Sequence, residues 1–477
     1  MKFALLILFT SQFFGIYQLF AIDTYPVTVF DIGMLVFLAV AAKRIIWDGE
    51  VLEFPRNFAV FFLFGLIGAV LISAINPIID GEPARQLQYF KTTFHFLYLI
   101  ALAVLMSGLK ITPDDWKLPM KVILISAVGI HLFGIYQLIA RALDLPFAWI
   151  SMNSVAIAGR GGYDMSSINE GDVRQISLNY GSFYRATSIF SEPSALAGFC
   201  TFVLTILMVP YLRNVQHFVQ SKRFITIVTV LTIVSLFLTF SLTALSMLLG
   251  LVVYGLVSER SKKSIKLIKM IAIMVVIIIS TDLIVESMTE ISVTSLFTQR
   301  VGGILSKYAG GRAETTYGES FFDRLSTITY AMDVWYAYPM TGIGMGGYYY
   351  FNTMEAHGFS DSGVFSCLAE TGFIGLVMYS GMITSLFVIL RSLTTRRRNY
   401  SLDDDTTILL HVSIYNVMLL MIASVTANTF VSSQFWLEIA LFYSIVAIAC
   451  RETGQPMLRC KVMHIPLKKL LAPSVSV

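Results

Sequence analysis

Charge is what this 477-residue chain has least of. Asp, Glu, Lys and Arg make up 13% of it and hydrophobic residues 56%, against about 25% charged in an ordinary soluble domain. So few charges cannot keep the surface of a water-soluble protein of this size, and the bilayer is the solvent to reason in. Cysteine is scarce as well: Cys200, Cys367, Cys450 and Cys460 stand apart, without Cys-x-x-Cys spacing. That pattern argues against a disulfide framework and against a metal site. Basic residues form no domain separate from the apolar runs, so nucleic acid is not an expected partner.

What the chain has instead is long apolar runs. Stretches of roughly twenty residues, enough to cross a bilayer, fall near 3–21, 28–42, 58–78, 90–108, 120–140, 193–212, 266–285, 372–391, 407–427 and 433–450. The stretch 224–258 is too long for one span, and the polar residues from Ser241 to Thr243 divide it into two short helices. The expected fold is all-α, a polytopic membrane protein with about 12 transmembrane helices and two large loops. The first run exceeds the ~7–15 residues of a signal-peptide core and reads as an uncleaved span. Residues 1–140 then hold five spans, 141–192 a first large loop, 193–285 spans six to nine, 286–371 a second large loop, 372–450 the last three spans, and 451–477 a basic tail.

Charge placement sets the expected orientation. With both termini cytoplasmic, the inner segments carry 24 of the 34 Lys and Arg and the outer segments 10, as the positive-inside rule requires. Arg260, Lys262 and Lys263, the run Arg396–Arg398, and the tail with Arg459, Lys461, Lys468 and Lys469 then serve as orientation signals and lipid-headgroup contacts. Both large loops fall outside, and loops of that size usually carry function. In the second, Phe322, Leu325, Ile328, Met332 and Trp335 recur at helical spacing before Pro339, the pattern of a helix lying in the membrane interface. Phe14-Gly15-Ile16-Tyr17-Gln18-Leu19 recurs as residues 133–138, but the match stops there and reads as coincidence in a restricted apolar alphabet.

The outer basic residues are mostly arginine: Arg85, Arg141, Arg160, Arg174, Arg185, Arg300, Arg312 and Arg324, with only Lys91 and Lys307 beside them. Lysine would serve solubility equally well, whereas a planar fork suits bidentate contact with phosphate oxygens. The skew points to an anionic ligand reached from outside. Arg185 and Glu192 flank the entry to the span at Pro193, either as site residues or as an internal ion pair anchoring the loop. The glycines from Gly342 to Gly347 lack the preceding strand and following Gly-Lys-Ser/Thr of a phosphate loop and read as a tight turn. Asp403–Asp405, beside Arg396–Arg398, read as a solvated charge cluster, and Asp31, His95 and His131 as locally paired groups near or within spans.

Three segments taken in order carry a resemblance. They are Arg185 to Pro193 leading into a span, Arg324 to Gly347 as an arginine-led helix and glycine-rich turn, and Ala369-Glu370-Thr371-Gly372 entering the next span. Together they resemble the family of O-antigen ligases and oligosaccharide repeat-unit polymerases, over about residues 180–392 in motifs and the whole chain in topology. The resemblance implies metal-independent glycosyl transfer at the periplasmic face of a bacterial inner membrane, without a cofactor, from an undecaprenyl-diphosphate-linked glycan to an acceptor hydroxyl. Membrane lipid, a chain-length regulator and a flippase are the further partners it implies. The family's essential arginines correspond to Arg185 and Arg324, both candidates for the diphosphate, with Arg300 and Arg312 as secondary candidates.

Where ligases carry His-Asn nine residues before the glutamate, this chain has Asp361 and Ser362, with His357 four residues earlier. That departure favours the polymerase branch and leaves the base open between His357, whose ordinary pKa suits neutral proton transfer, and Asp361. Glu192 is the next candidate. A ligase acting on lipid A core is the second enzyme reading. A secondary transporter is the rival of another class; the large outer loops, the absence of a two-half repeat and the paucity of midmembrane charge weigh against it.

Overall fold

The computed structural model describes residues 1–15, 17–22, 25–150, 175, 179–180, 183–258, 262–308, 319–351, 362–395 and 402–460. Among them, eight helices are long and apolar enough to cross a membrane: Phe58–Asp80, Pro83–Gly108, Pro113–Ala142, Pro193–Arg213, Ile265–Thr289, Gly363–Thr395, Asp404–Thr426 and Ser433–Glu452. Shorter helices occupy the other expected runs: α1 (Lys2–Phe13), α2 (Val29–Ala42), α8 (Lys222–Leu238) and α9 (Leu242–Ser258). The protein is an all-α polytopic membrane protein, as composition requires. The long helices are α3 with α4 (Phe58–Ile72, Ile75–Asp80), α5 (Pro83–Gly108), α6 (Pro113–Ala142), α7 (Pro193–Arg213), α10 (Lys262–Thr289), α13 (Gly363–Thr395), α14 (Asp404–Thr426) and α15 (Ser433–Glu452).

Burial separates the centre of the bundle from its rim. In α15 94% of the spanning window is buried against other helices, in α7 83% and in α14 78%, whereas α10 buries 11% and offers nearly its whole surface to lipid. Polar side chains inside the bundle hydrogen-bond between helices, because lipid offers no water in exchange. His131 of α6 meets Thr232 of α8 at 3.0 Å through Nε2 and Cys200 of α7 at 3.9 Å through Nδ1. Thr232 already donates to the Val228 carbonyl, so its hydroxyl accepts from the imidazole Nε2–H. Asn416 of α14 donates to Thr205 of α7 at 2.6 Å, and Trp116 of α6 to Ser444 of α15 at 3.1 Å. Asp31 belongs to a capping box, accepting from the Thr28 N–H and hydroxyl at 2.7 Å each.

Two expectations are corrected. The first apolar run is not one helix to residue 21: α1 stops at Phe13 and the chain turns into the hairpin β1 (Gln18–Ile22) and β2 (Tyr25–Thr28). The repeated hexapeptide thus begins in a turn and strand in its first copy and lies wholly within α6 in its second, so the same letters obey different tertiary surroundings. The span expected from 372 begins at Gly363 and breaks at Gly372, where φ is 67° and ψ −167°. The second loop's amphipathic segment does form a helix, α12 (Glu319–Ala337), preceded by α11 (Val293–Tyr308). The packed face of α12 is Ala331 and Val334, which meet Ile343, Tyr348 and Ala369. The stripe with Leu325, Ile328, Met332 and Trp335 is half-buried or exposed.

Beyond helices, β3 (Leu52–Pro55) pairs antiparallel with β6 (Met457–Cys460), closing the end of the bundle that carries Met1 and Cys460, and the short β4 (Asn179–Tyr180) pairs with β5 (Phe183–Tyr184). The described parts of the two long loops meet at the other end.

Candidate active site

The hairpin of α8 and α9 turns at Thr239–Ser241, where the sequence placed a polar break. Phe240 holds φ at 48°, a left-handed value that a bulky residue adopts only when its surroundings enforce it. It is fully buried, edge-on to Phe297 of α11 with ring centroids 4.3 Å apart. The final carbonyls of a helix lack helical donors, and here groups from elsewhere take three in a row. The Ala186 N–H donates to the Leu238 carbonyl at 3.0 Å, Arg185 Nε to Thr239 at 2.9 Å, and Arg300 Nη1 to Phe240 at 3.1 Å. A helix C-terminus favours cations, so one turn draws together an arginine from the first long loop and one from the second. Arg300 also lies over the Phe240 ring, 5.4 Å from its centroid.

Arg185 is carried by a buried hub. Arg141, in the last turn of α6, donates to the carbonyls of Ala148 (2.9 Å) and Arg185 (2.6 Å), to the Thr187 hydroxyl (2.6 Å) and to Gln175 Oε1 (3.2 Å). Its guanidinium stacks 4.1 Å from the Trp149 ring centroid. Gln175 in turn donates to the carbonyls of Ser188 and Phe190 at 2.6 Å each. These contacts pin residues 185–190 against α6. Glu192 occupies the N-cap position of α7, and its carboxylate accepts from the Ser194 hydroxyl. The alternative of an Arg185–Glu192 ion pair is not realised.

Beside the hairpin tip lies a cavity of about 530 Å³, bounded by residues such as Phe237, Ser241, Leu245, Met274, Phe297 and Thr298. Apart from Ser241, Thr294 and Thr298 its lining is aliphatic, aromatic or glycine. Arg300 sits on α11 between Thr298 and Val301, which both line it. A cationic pair thus stands next to an apolar chamber.

His357, Asp361 and Arg312 lie outside the described residues. Arg324 lies within the helical backbone of α12, in the part whose side chains are not described. The residues that follow Asp361 are anchored: Ser362 Oγ donates to the Ser424 carbonyl at 3.3 Å and the Gly363 N–H to Ala427 at 2.8 Å. Thr243 of α9 donates to the neighbouring Thr426 carbonyl at 3.5 Å. The C-terminal end of the α14 helix therefore links the start of α13 to the hairpin tip that holds Arg185 and Arg300.

The glycine-rich segment is a turn, and its partner is the break in α13. Ile343 and Gly344 N–H groups donate to the carbonyls of Ala369 and Glu370 at 2.9 Å each; Phe373 and Ile374 donate back to Pro339 and Met340 at 2.9 and 3.3 Å. The exchange satisfies the backbone groups that a broken helix leaves open. Gly342 and Gly372 both have left-handed φ and approach so closely that a Cβ on either would collide with the other's strand of backbone. Asn76 and Arg85 hold the turn from its far side. Sequence reasoning gave no role to Arg141, Asn76 or Arg85; only the preference for arginine over lysine among the outer basic residues marked two of them.

None of the curated proteins compared with this chain matches it. The family model described as O-Antigen ligase does, over residues 227–380, from within α8 through the hairpin tip, α10 to α12 and the glycine turn to beyond the break in α13. The motif resemblance is borne out over the part of the chain that supplies the tip carbonyls, Arg300 and the turn: residues 227–380 of this polytopic membrane protein are similar to the O-antigen ligase family.

Proposed function

We propose that the protein is a glycosyltransferase that polymerises undecaprenyl-diphosphate-linked oligosaccharide repeat units on the periplasmic face of a bacterial inner membrane, with both termini in the cytoplasm. The observation that carries the reading is the meeting of Arg185 and Arg300 on adjoining carbonyls beside the apolar cavity. A lipid diphosphate has the same two parts, an anion and a hydrocarbon chain. Arg185, Arg300 and, by the family resemblance, Arg324 hold the diphosphate, with Arg312 in support. Negative charge accumulates on the lipid diphosphate as it leaves, and fixed cations preorganised there stabilise the transition state. The segment with His357 and Asp361 supplies the base that removes the acceptor hydroxyl's proton, and the nucleophilic oxygen attacks the anomeric carbon as the diphosphate departs. The transfer needs no divalent metal; the cations that a metal would supply are the arginines.

The family description favours a second reading, transfer of finished glycan to lipid A core by a ligase. Deletion of the gene separates the two. Loss of a polymerase leaves a single repeat on the core, the expected result. Loss of a ligase leaves the core bare and long chains on the lipid carrier, and an unchanged glycan ladder would overturn both.

A further inference from the structure

Two segments proposed to take part in transfer meet at one place: α12, which begins near Arg324, ends in the glycine turn, and α13 is entered from the segment with His357 and Asp361. Four backbone hydrogen bonds join the turn to the break in α13. The opposite side of the turn faces the crest between α3 and α5, far away in sequence. There Asn76 Nδ2 donates to the Thr341 hydroxyl at 3.0 Å and to the Gly342 carbonyl at 2.5 Å. Arg85 Nη2 donates to the Ile343 carbonyl at 2.9 Å, its Nη1 pairs with Asp80, and its guanidinium lies 5.6 Å from the Tyr338 ring centroid.

We propose that Asn76 and Arg85 are positioning residues, which set the glycine turn and thereby the placement of α12 against α13 on which transfer depends. The proposal rests on the glycosyltransferase reading above. The contacts are of the kind that sets position more than it adds stability. Arg85 is buried, and its Nε has no acceptor among the described residues, an arrangement that an apolar side chain of similar volume would improve. Its fork nevertheless reaches the Ile343 carbonyl and Asp80 at once. Asn76 offers both amide hydrogens to consecutive residues, Thr341 and Gly342, which fixes the register of the turn. With Ile343 N–H bonded to Ala369 and its carbonyl to Arg85, that residue is held from both sides.

Two variants test this with little change of shape. Asn76→Asp replaces the donor amide with a carboxylate that faces the Gly342 carbonyl, and Arg85→Lys keeps the charge but loses the second arm of the fork. In purified full-length protein supplied with lipid-linked repeats, kcat should fall on the order of 10²-fold, the cost of a misplacement of about 1 Å. The KM for the donor should stay within about threefold, because neither side chain contacts it. Wild-type kcat in both variants at equal protein would overturn the proposal. So would a loss of activity accounted for by a lower unfolding temperature alone. A separate measurement does not depend on transfer: in the double variant Asn76→Cys, Thr341→Cys a short bifunctional methanethiosulfonate should crosslink the two thiols, because the side chains they replace are in hydrogen-bond contact. Failure to crosslink would overturn the bracket itself. If the wild-type protein transferred no glycan while the crosslink formed, the glycosyltransferase reading would fall and the bracket would stand as structure.

Discussion

The two ends of the bundle use their basic residues differently. At the end that carries the termini they meet carboxylates: Arg44 with Glu50 at 2.5 Å, Lys117 with Asp405 at 2.5 Å, and Lys110 and Arg459 with Glu53 at 3.7 and 3.2 Å. Arg451 and Lys266 depart from this, Arg451 donating to the carbonyls of Leu109 and Ile111 and Lys266 to the Tyr211 carbonyl and Asn214 Oδ1. At the long-loop end, Arg141, Arg185 and Arg300 all donate to backbone carbonyls, and Arg85 divides its fork between the Ile343 carbonyl and the Asp80 carboxylate. A carboxylate cancels the charge it meets. A carbonyl orients a guanidinium through its dipole and leaves the charge in place. On the proposed reading, the first end ties the bundle together and the second holds guanidiniums in fixed directions, which is what binding an anionic ligand requires.

The comparison breaks most visibly if the proposed base is removed. His357→Ala and Asp361→Asn should insert in the membrane and bind lipid-linked donor yet make short chains or none, since general-base assistance is worth about 10²–10⁴ in rate. Normal chain lengths in both, read on a glycan ladder, would move the base elsewhere, with Glu192 next.

The arginines come second. Arg185→Lys, Arg300→Lys and Arg324→Lys keep a positive charge and lose the fork, so activity at equal protein level should fall on the order of 10²-fold, the usual effect of losing one preorganised donor. Full activity in all three would mean that the guanidiniums of the long-loop end are as structural as the ion pairs of the other.

A milder effect is expected in the cavity. Thr298→Trp should occupy space beside the hairpin tip and raise the KM for the lipid-linked donor about tenfold, equivalent to roughly 1.4 kcal/mol of binding. A donor with a shortened prenyl chain should be affected less than the full-length one. Equal effects on both donors would show that the cavity does not hold the lipid.

The smallest change belongs to the termini end. Glu53→Gln removes the carboxylate shared by Lys110 and Arg459, two exposed partners, and should cost about 0.2–1 kcal/mol of stability. Glycan transfer should be unchanged. A large loss of activity would mean that the β3–β6 pairing communicates with the long-loop end and that the two ends are not independent.

How much of this could be read in advance differed by element. The division of 224–258 into two helices was legible, because the stretch is too long for one span and the polar residues from Ser241 offered the place for a turn. The helix before Pro339 was legible from its period, and the turn at Gly342–Gly347 from its glycines. The β1–β2 hairpin was not, because Tyr17–Ile22 is as apolar as the helix before it and pairing depends on Tyr25–Thr28. Nor was the early start of α13: Gly363–Thr371 is helical, but it joins the span through a glycine break whose open carbonyls are met by a turn thirty residues back.

The candidate site divides in the same way. Arg185, Arg300 and Arg324 stood out as arginines in the long loops, and the motif order pointed to the family whose model matches residues 227–380. Apolar run length and charge placement act locally along a chain, so the sequence by itself determined the membrane class, most of the helix positions and the segments that carry the arginines. That Arg185 and Arg300 meet on the carbonyls of Thr239 and Phe240, that Arg141 secures the first loop, and that Asn76 and Arg85 brace the glycine turn were decided only by the tertiary structure. These contacts join residues from about 40 to more than 260 positions apart. Their partners are mostly backbone carbonyls, which every residue possesses, so no side-chain pattern announces them.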